Sequence, residues 1–180
     1  MLNTDLENVV LGGGCFWCTE AIFNKIKGIV NVVSGYAGGD IENPSYVKVS
    51  GGETKHAEVV EITYDPQIIN FEKILEVFFD VHDPTTLNAQ GSDIGTQYRS
   101  VIFYTREFQK NEAIAYINNL KNKMKFKNPI VTEVLPLINF YKAEDYHQDF
   151  YAKNSGAPYC ALVISPKIDK LIKNHEKLLK

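Results

Sequence analysis

Gly12-Gly13-Gly14-Cys15-Phe16-Trp17-Cys18-Thr19-Glu20 is the stretch on which the reading of this chain turns. Val9, Val10 and Leu11 lead into the glycines, and Phe16, Trp17, Ala21, Ile22 and Phe23 follow them, so the segment reads as a strand that turns sharply into a helix. Cys15 then stands at the helix N-terminus. Unpaired N–H groups and the positive end of the helix dipole favour negative charge there, which eases ionisation of a thiol and suits a nucleophile. The other use for Cys15 and Cys18 is as small core hydrophobes.

Outward from this stretch, the first helix is expected over Phe16–Ile26, ending near Gly28. A strand follows over Ile29–Ser34, stopping at the turn-rich Gly35-Tyr36-Ala37-Gly38-Gly39. The alternation of His56–Tyr64 marks a strand closed by Asp65-Pro66. Asn70 is an N-cap for Phe71–Val81, where Phe71, Ile74, Leu75 and Phe78 fall at helical spacing. Thr85–Gly95 shows no periodicity, and a loop of that length in a compact domain is usually functional. Beyond it the pattern predicts a strand over Gln97–Thr105, a long amphipathic helix over Arg106–Lys123 and a strand over Ile130–Leu135. A short helix over Glu144–Lys153, a break at Asn154-Ser155-Gly156 and a charged helix over Lys167–Lys180 complete the chain. Strands and helices alternate, so the class is α/β or α+β, and the pattern alone does not choose.

At 180 residues, without an internal repeat or a Gly/Ser/Pro linker, the chain reads as one domain over residues 1–180. A net charge of −3 disfavours nucleic acid as a partner, and the Lys-rich stretch Lys121–Lys127 reads as a solvated helix face. Met1-Leu2-Asn3-Thr4-Asp5 lacks the basic and apolar regions of a secretory signal, and no apolar run reaches membrane-span length. The expected compartment is therefore the reducing cytoplasm, with no membrane partner. The expected state is a monomer, since no long heptad or exposed apolar stripe is visible. Three cysteines do not make a disulfide framework and are there catalytic or buried.

Glu20 lies five residues after Cys15, about 140° beyond a full helical turn. If Cys15 caps the helix, its side chain leaves the helical path and can meet this carboxyl, which the flanking Phe16 and Trp17 would desolvate and keep protonated. Otherwise Glu20 complements the helix dipole. Phe16 and Trp17 point about 100° apart, so one of them borders a pocket at the cysteine unless both are core. Tyr36 and Tyr98 sit in glycine-bearing polar surroundings and either donate hydrogen bonds to a bound oxygen or anchor their loops. Cys160, beside Gly156-Ala157-Pro158-Tyr159, is either a structural thiol or a mobile one able to condense with a sulfenic acid on Cys15. Cys18 is its rival, because an i, i+3 pair at a helix start can meet disulfide distances. His56, His82, His147 and His175 are scattered, and none lies at zinc-finger spacing from Cys15-Phe16-Trp17-Cys18, so no metal site is expected.

GGGCFWCTE, GYAGG, NPSYVKV with GGETKHAEVVEITYDP, HDPTTLNAQGSDIGTQYRSVIFY and NFYKAEDYHQDFY occur in an order that resembles the peptide methionine sulfoxide reductase A (MsrA) family over about Asn8 to Cys160. The resemblance implies an α+β fold: a mixed β-sheet flanked by helices, with a ferredoxin-like sandwich core and extensive coil. It implies reduction of methionine-S-sulfoxide, free or in proteins, to methionine. Cys15 would attack the sulfoxide sulfur, Glu20 would protonate the oxygen with help from Tyr36 and Tyr98, and Phe16, Trp17 and Asp93 would hold the substrate. A Cys15 sulfenic acid would be resolved by Cys160, or by Cys18, and recycled by thioredoxin, with no metal or organic cofactor. Many relatives carry Gly at the position of Cys18 and Arg at that of Ala89, which leaves the recycling route and the rim of the site open. No cysteine follows Cys160, so a further shuttle step at the tail is not expected. The rival reading is a thioredoxin-like thiol–disulfide oxidoreductase using Cys15 and Cys18.

Overall fold

The structure is a computed structural model that describes residues 5–180; the signal-free reading of Met1–Thr4 lies outside the described residues. Strand β1 (Glu7–Gly13) runs up the middle of a six-stranded sheet and turns into helix α1 (Phe16–Phe23). Next come β2 (Ile29–Ala37), the short helix α2 (Tyr46–Ser50), β3 (Ala57–Tyr64) and α3 (Phe71–Val81). A two-stranded ladder of β4 (Ala89–Gln90) and β5 (Asp93–Ile94) precedes β6 (Ser100–Tyr104) and α4 (Glu107–Asn122). Strands β7 (Glu133–Pro136) and β8 (Phe140–Lys142), the single turn α5 (Phe150–Lys153) and α6 (Ser165–His175) complete it.

The sheet order is β7-β6-β1-β3-β2-β8, antiparallel except for the parallel β6–β7 pair. Within it, β1, α1, β2, β3, α3 and β6 follow a β-α-β-β-α-β path with strand order β6-β1-β3-β2, the ferredoxin-like core. The fold is α+β, as the resemblance implies. Side-chain alternation sorts the two faces. Val9, Leu11, Val60, Ile62 and Ile102 pack with α1, α3, α4 and α6, while Val10, Val59, Val101 and Phe103 form a smaller cluster under Leu137 and Phe140.

Two glycines place the chain reversal at the end of β1. A Cβ at Gly13 would lie 3.0 Å from the Phe78 ring and 3.2 Å from His82, a crowding that these rings would have to yield to, and bare backbone there lets α3 close tightly on the strand end. Gly14 then turns with φ +98°, leaving Cys15 as the N-cap of α1.

Several expected boundaries move, each for a local reason. Helix α1 stops at Phe23, and Gly28 takes φ +84° to begin β2. Strand β2 does not stop at Ser34: it continues through Gly35-Tyr36-Ala37 because β3 and β8 pair with it on both sides. Thr96–Tyr98 is a 3₁₀ turn rather than strand, and the Glu144–Lys153 helix splits at Asp149, whose φ is +54°. Strand β8 escapes periodicity because it is three residues long. The Asn70 cap forms as expected, its side chain accepting from Lys73 N–H at 2.9 Å.

Gln109 is fully buried and fastens α4 to the sheet. Its Oε1 accepts from the N–H groups of Thr105 (2.9 Å) and Arg106 (3.2 Å), and its amide nitrogen donates to Asn8 O (2.9 Å) and the Tyr64 hydroxyl (3.3 Å). Gln109→Ala leaves these groups without their partner and is expected to cost about 2 kcal/mol in urea unfolding.

Candidate active site

Cys15 caps α1 with φ −58° and ψ 127°, and its carbonyl accepts the N–H of Cys18 at 3.1 Å. The next N–H, from Phe16, donates to Glu58 Oε2 at 3.1 Å. Glu58 comes from β3, on the face it shares with Val60 and Ile62, so its carboxyl is carried into the apolar side of the sheet. Burial pushes its pKa up to about 8, with the charges of Asp93 and Cys18 adding and the Phe16 N–H opposing. At neutral pH it carries a proton.

The same face of β2 brings Tyr36 opposite Glu58 across the ladder. Its phenol donates to Glu144 Oε2 at 2.8 Å, and Tyr46 N–H donates to Glu144 Oε1 at 2.8 Å. Against the raising effect of burial, the Tyr46 N–H, Glu144's own N–H, the Tyr36 phenol and His147 together hold the Glu144 carboxyl below the usual range. Burial raises Tyr98, with Glu58, Tyr46, Asp93 and Cys15 contributing, and pushes Tyr46 up to about 12 beside Glu58 and Cys15. Cys15, Glu58, Tyr46, Tyr98 and Asp93 therefore face one small volume. The two phenols stay protonated there as donors.

Aromatic rings wall this volume. Trp17 stacks on Phe150 with centroids 3.6 Å apart, and its Nε1–H donates to His147 Nδ1 at 3.0 Å. Phe16 lies 5.8 Å from Tyr36 and 4.9 Å from His147. Tyr159 closes the top: it meets Trp17 edge-on at 5.8 Å, donates to Asp93 Oδ2 at 2.9 Å and sits 4.0 Å from Cys18 Sγ. Cys15 is left 7% exposed.

Two expectations need correction. Glu20 is buried, but it faces the Ser34 hydroxyl and the backbone N–H groups of Asp149 and Phe150 rather than Cys15. Its position on the helix carries it away from the cap, and the carboxyl that reaches the nucleophile's neighbour is Glu58. Nor is Cys15 an easily ionised thiol in this resting arrangement. Burial pushes it well above its ordinary value, and Cys18 and, once ionised, Glu58 add to this, which the dipole of an eight-residue helix does not overcome. The lowered thiol is Cys18, down to about 7, through its interaction with Cys15 against the cost of burial, helped by Lys167.

All three cysteines are free thiols. Cys15 and Cys18 meet directly, whereas Cys160 is wholly buried at the start of a π-helical stretch (Cys160–Ile164) behind Tyr159, its thiol raised by that burial. The sequence reading passed over Glu58, Tyr46, His147 and Tyr159. Glu58 was open to detection, because the alternation of Ala57–Tyr64 sets it on the face of Val60, Ile62 and Tyr64, where an acid is out of place. Tyr46, His147 and Tyr159 carry no such signal. Among the described residues, no group of three or more His, Cys, Asp and Glu side chains could hold a metal ion, and no helix is long and apolar enough to cross a membrane.

A nucleophilic thiol, a proton-bearing carboxyl, phenol donors and an aromatic wall define a cysteine-based enzyme that acts on a polarised, partly apolar group. A family model described as peptide methionine sulfoxide reductase matches residues 7–179. The chain belongs to that family. It is 53% identical over 169 residues to a peptide methionine sulfoxide reductase MsrA from Sulfolobus acidocaldarius, covering 94% of this chain and 95% of the relative. Its fold is similar to the reduced form of Mxr1 from Saccharomyces cerevisiae, with TM-score 0.80 and 37% identity over 86% of this chain and 89% of that one. It also resembles Mxr1 solved in complex with Trx2, at TM-score 0.58 and 27% identity over 82% and 86% of the two chains. Family membership sets aside the thioredoxin-like reading of Cys15 and Cys18.

Thiolate absorbance followed from pH 5 to 10 is expected to show a first step near pH 7 that Cys18→Ser removes and Cys160→Ser retains.

Proposed function

We propose that this chain reduces the S epimer of methionine sulfoxide, free or in oxidised proteins, with Cys15 as nucleophile and Glu58 as the acid. The observation that carries the reading is the Phe16 N–H bond to Glu58, which holds a protonated carboxyl against the residue next to Cys15. Substrate takes the place of the Tyr159 phenol. Its methyl group lies against Phe16 and Trp17, and its oxygen faces Glu58 and Tyr98, with Tyr36 and Asp93 at the edge of the basin. Fixing methyl and oxygen together selects one configuration at sulfur.

The positive sulfur end of the S–O dipole, brought up to Cys15, offsets the burial that keeps this thiol protonated. The Cys15 thiolate then attacks the sulfoxide sulfur, forming a transient S–S bond, while Glu58 gives its proton to the oxygen. The hydroxyl passes from the substrate sulfur to Cys15 Sγ as the S–O bond breaks, and the S–S bond breaks with its electron pair going to the departing thioether, so methionine leaves and Cys15, having supplied the two electrons, is left as a sulfenic acid. No prosthetic group enters this scheme.

Cys18 rather than Cys160 is the resolving thiol in this reading, because it already touches Cys15 and has the lower pKa. Its sulfur attacks the sulfenic sulfur, the oxygen leaves as water, and a Cys15–Cys18 disulfide forms. A thioredoxin dithiol reduces that disulfide, consistent with the Mxr1–Trx2 complex on the same fold. Residues 1–180 act as one catalytic domain, a monomer of the reducing cytoplasm. Glu20 serves packing under Phe150.

In single turnover, Glu58→Gln is expected to slow methionine release on the order of 10²-fold, while Glu20→Gln stays within about threefold of wild type. Wild-type release should decline as pH rises through about 8, where Glu58 loses its proton, and peptide mapping after one turnover should recover the Cys15–Cys18 disulfide. Equal loss in the two glutamine variants, or a Cys15–Cys160 disulfide alone, would contradict the assignment.

A further inference from the structure

Cys18 has a second neighbour that the reaction scheme does not use. A narrow cavity beside it is lined by Gly13, Cys18, Thr19, His82 and Lys167 and does not include Tyr159. Lys167 enters from the first turn of α6, which packs against α1. It is half-buried, and among the described residues no carboxylate forms an ion pair with it. One turn along, Lys170 is paired with Asp80 at 3.4 Å. Within α6, then, the lysine at the cavity is left without a counter-ion while the one beside it is neutralised.

We propose that Lys167 is the positioning cation of the resolving step, holding Cys18 as a thiolate aimed at the Cys15 sulfenic acid. This rests on the reading of Cys18 as the resolving thiol.

The groups facing Cys18 leave few other sources of positive charge. Cys15 adjoins it on its own helix; Asp93 from β5 and Glu58 from β3 are acids, and Asp93 opposes ionisation. Tyr159 and Cys160 from the C-terminal segment are neutral donors. His82, following α3, is held neutral by burial with its pKa near 4, its ring bonded to Phe78 O and to Ser100 Oγ at 2.8 Å. Lys167 is the cation whose charge reaches both Cys18 and His82, and it favours the negative form of one and the neutral form of the other.

The chemical step is balanced. The Cys18 thiolate forms the S–S bond with the Cys15 sulfenic sulfur, the S–OH bond of Cys15 breaks, and hydroxide takes up a proton from solvent to leave as water. Cys18 is oxidised and the sulfenic sulfur is reduced, so no outside oxidant enters. Lys167 changes no bond; it sets how much Cys18 is in the attacking form at working pH.

The test is the pH profile of disulfide formation after one sulfoxide turnover, measured as loss of the second thiol and normalised to the methionine released. Removing the charge lowers the thiolate fraction, while the more basic thiolate is intrinsically more nucleophilic and returns part of the loss. Lys167→Met is therefore expected to move the midpoint upward by about one pH unit and to slow the step roughly threefold at pH 6, without lowering its alkaline plateau. Lys167→Arg should restore the midpoint. An unchanged midpoint in Lys167→Met, a fallen plateau without a shift, or a shift that Arg does not reverse would overturn the inference. Cys18→Ser run in parallel separates the two claims: if that variant still closes an intramolecular disulfide, the Cys18 reading fails whatever Lys167 does.

Discussion

The site depends on one hydrogen bond, from the Phe16 N–H to the Glu58 carboxyl. The first N–H groups of a helix have no partner within the helix. Here one of them is satisfied by a side chain from the adjacent sheet, which fixes the start of α1 against β3. The same bond brings an acid beside the nucleophile in a place too dry for it to ionise at neutral pH. Structure and chemistry are joined at that contact: the group that completes the helix end is also the acid that the proposed reaction uses.

The rest of the fold keeps that contact in register. Glycines at the end of β1 let α3 and His82 close beneath the turn, and the antiparallel β2–β3 ladder sets Tyr36 opposite Glu58. The chain after β8 supplies the remaining walls. Glu144 is tied to Tyr36 and Tyr46, His147 to Trp17, and Tyr159 to Asp93. These bonds span long sequence separations, so the basin forms only once the C-terminal half has packed across the sheet.

That division explains what the sequence could disclose. The strand–turn–helix around Cys15, the Asn70 cap and the alternation of β3 are local, and a reading of neighbouring residues finds them. Glu20 was misread because helical proximity in sequence was taken for proximity to the cap, whereas the dry carboxyl arrives from another element. Tyr46, His147 and Tyr159 join the site through contacts 98 or more residues apart, or through a covering segment, and no local pattern marks them. Cys15 at a helix N-terminus suggested an easily ionised thiol, yet burial beside Cys18 and Glu58 reverses the direction. Family resemblance supplied the reaction, and the packing decides which side chains meet at Cys15.

Protonation of Glu58 in the resting enzyme is the central claim, and it can be measured directly. Carboxyl-labelled glutamate, assigned by comparison with Glu58→Gln, allows the Glu58 side chain to be titrated by NMR. A midpoint near pH 8 is the predicted result. A midpoint in the ordinary glutamate range, about 4.3, would mean that the carboxyl is ionised at neutral pH and cannot be the acid of the reaction.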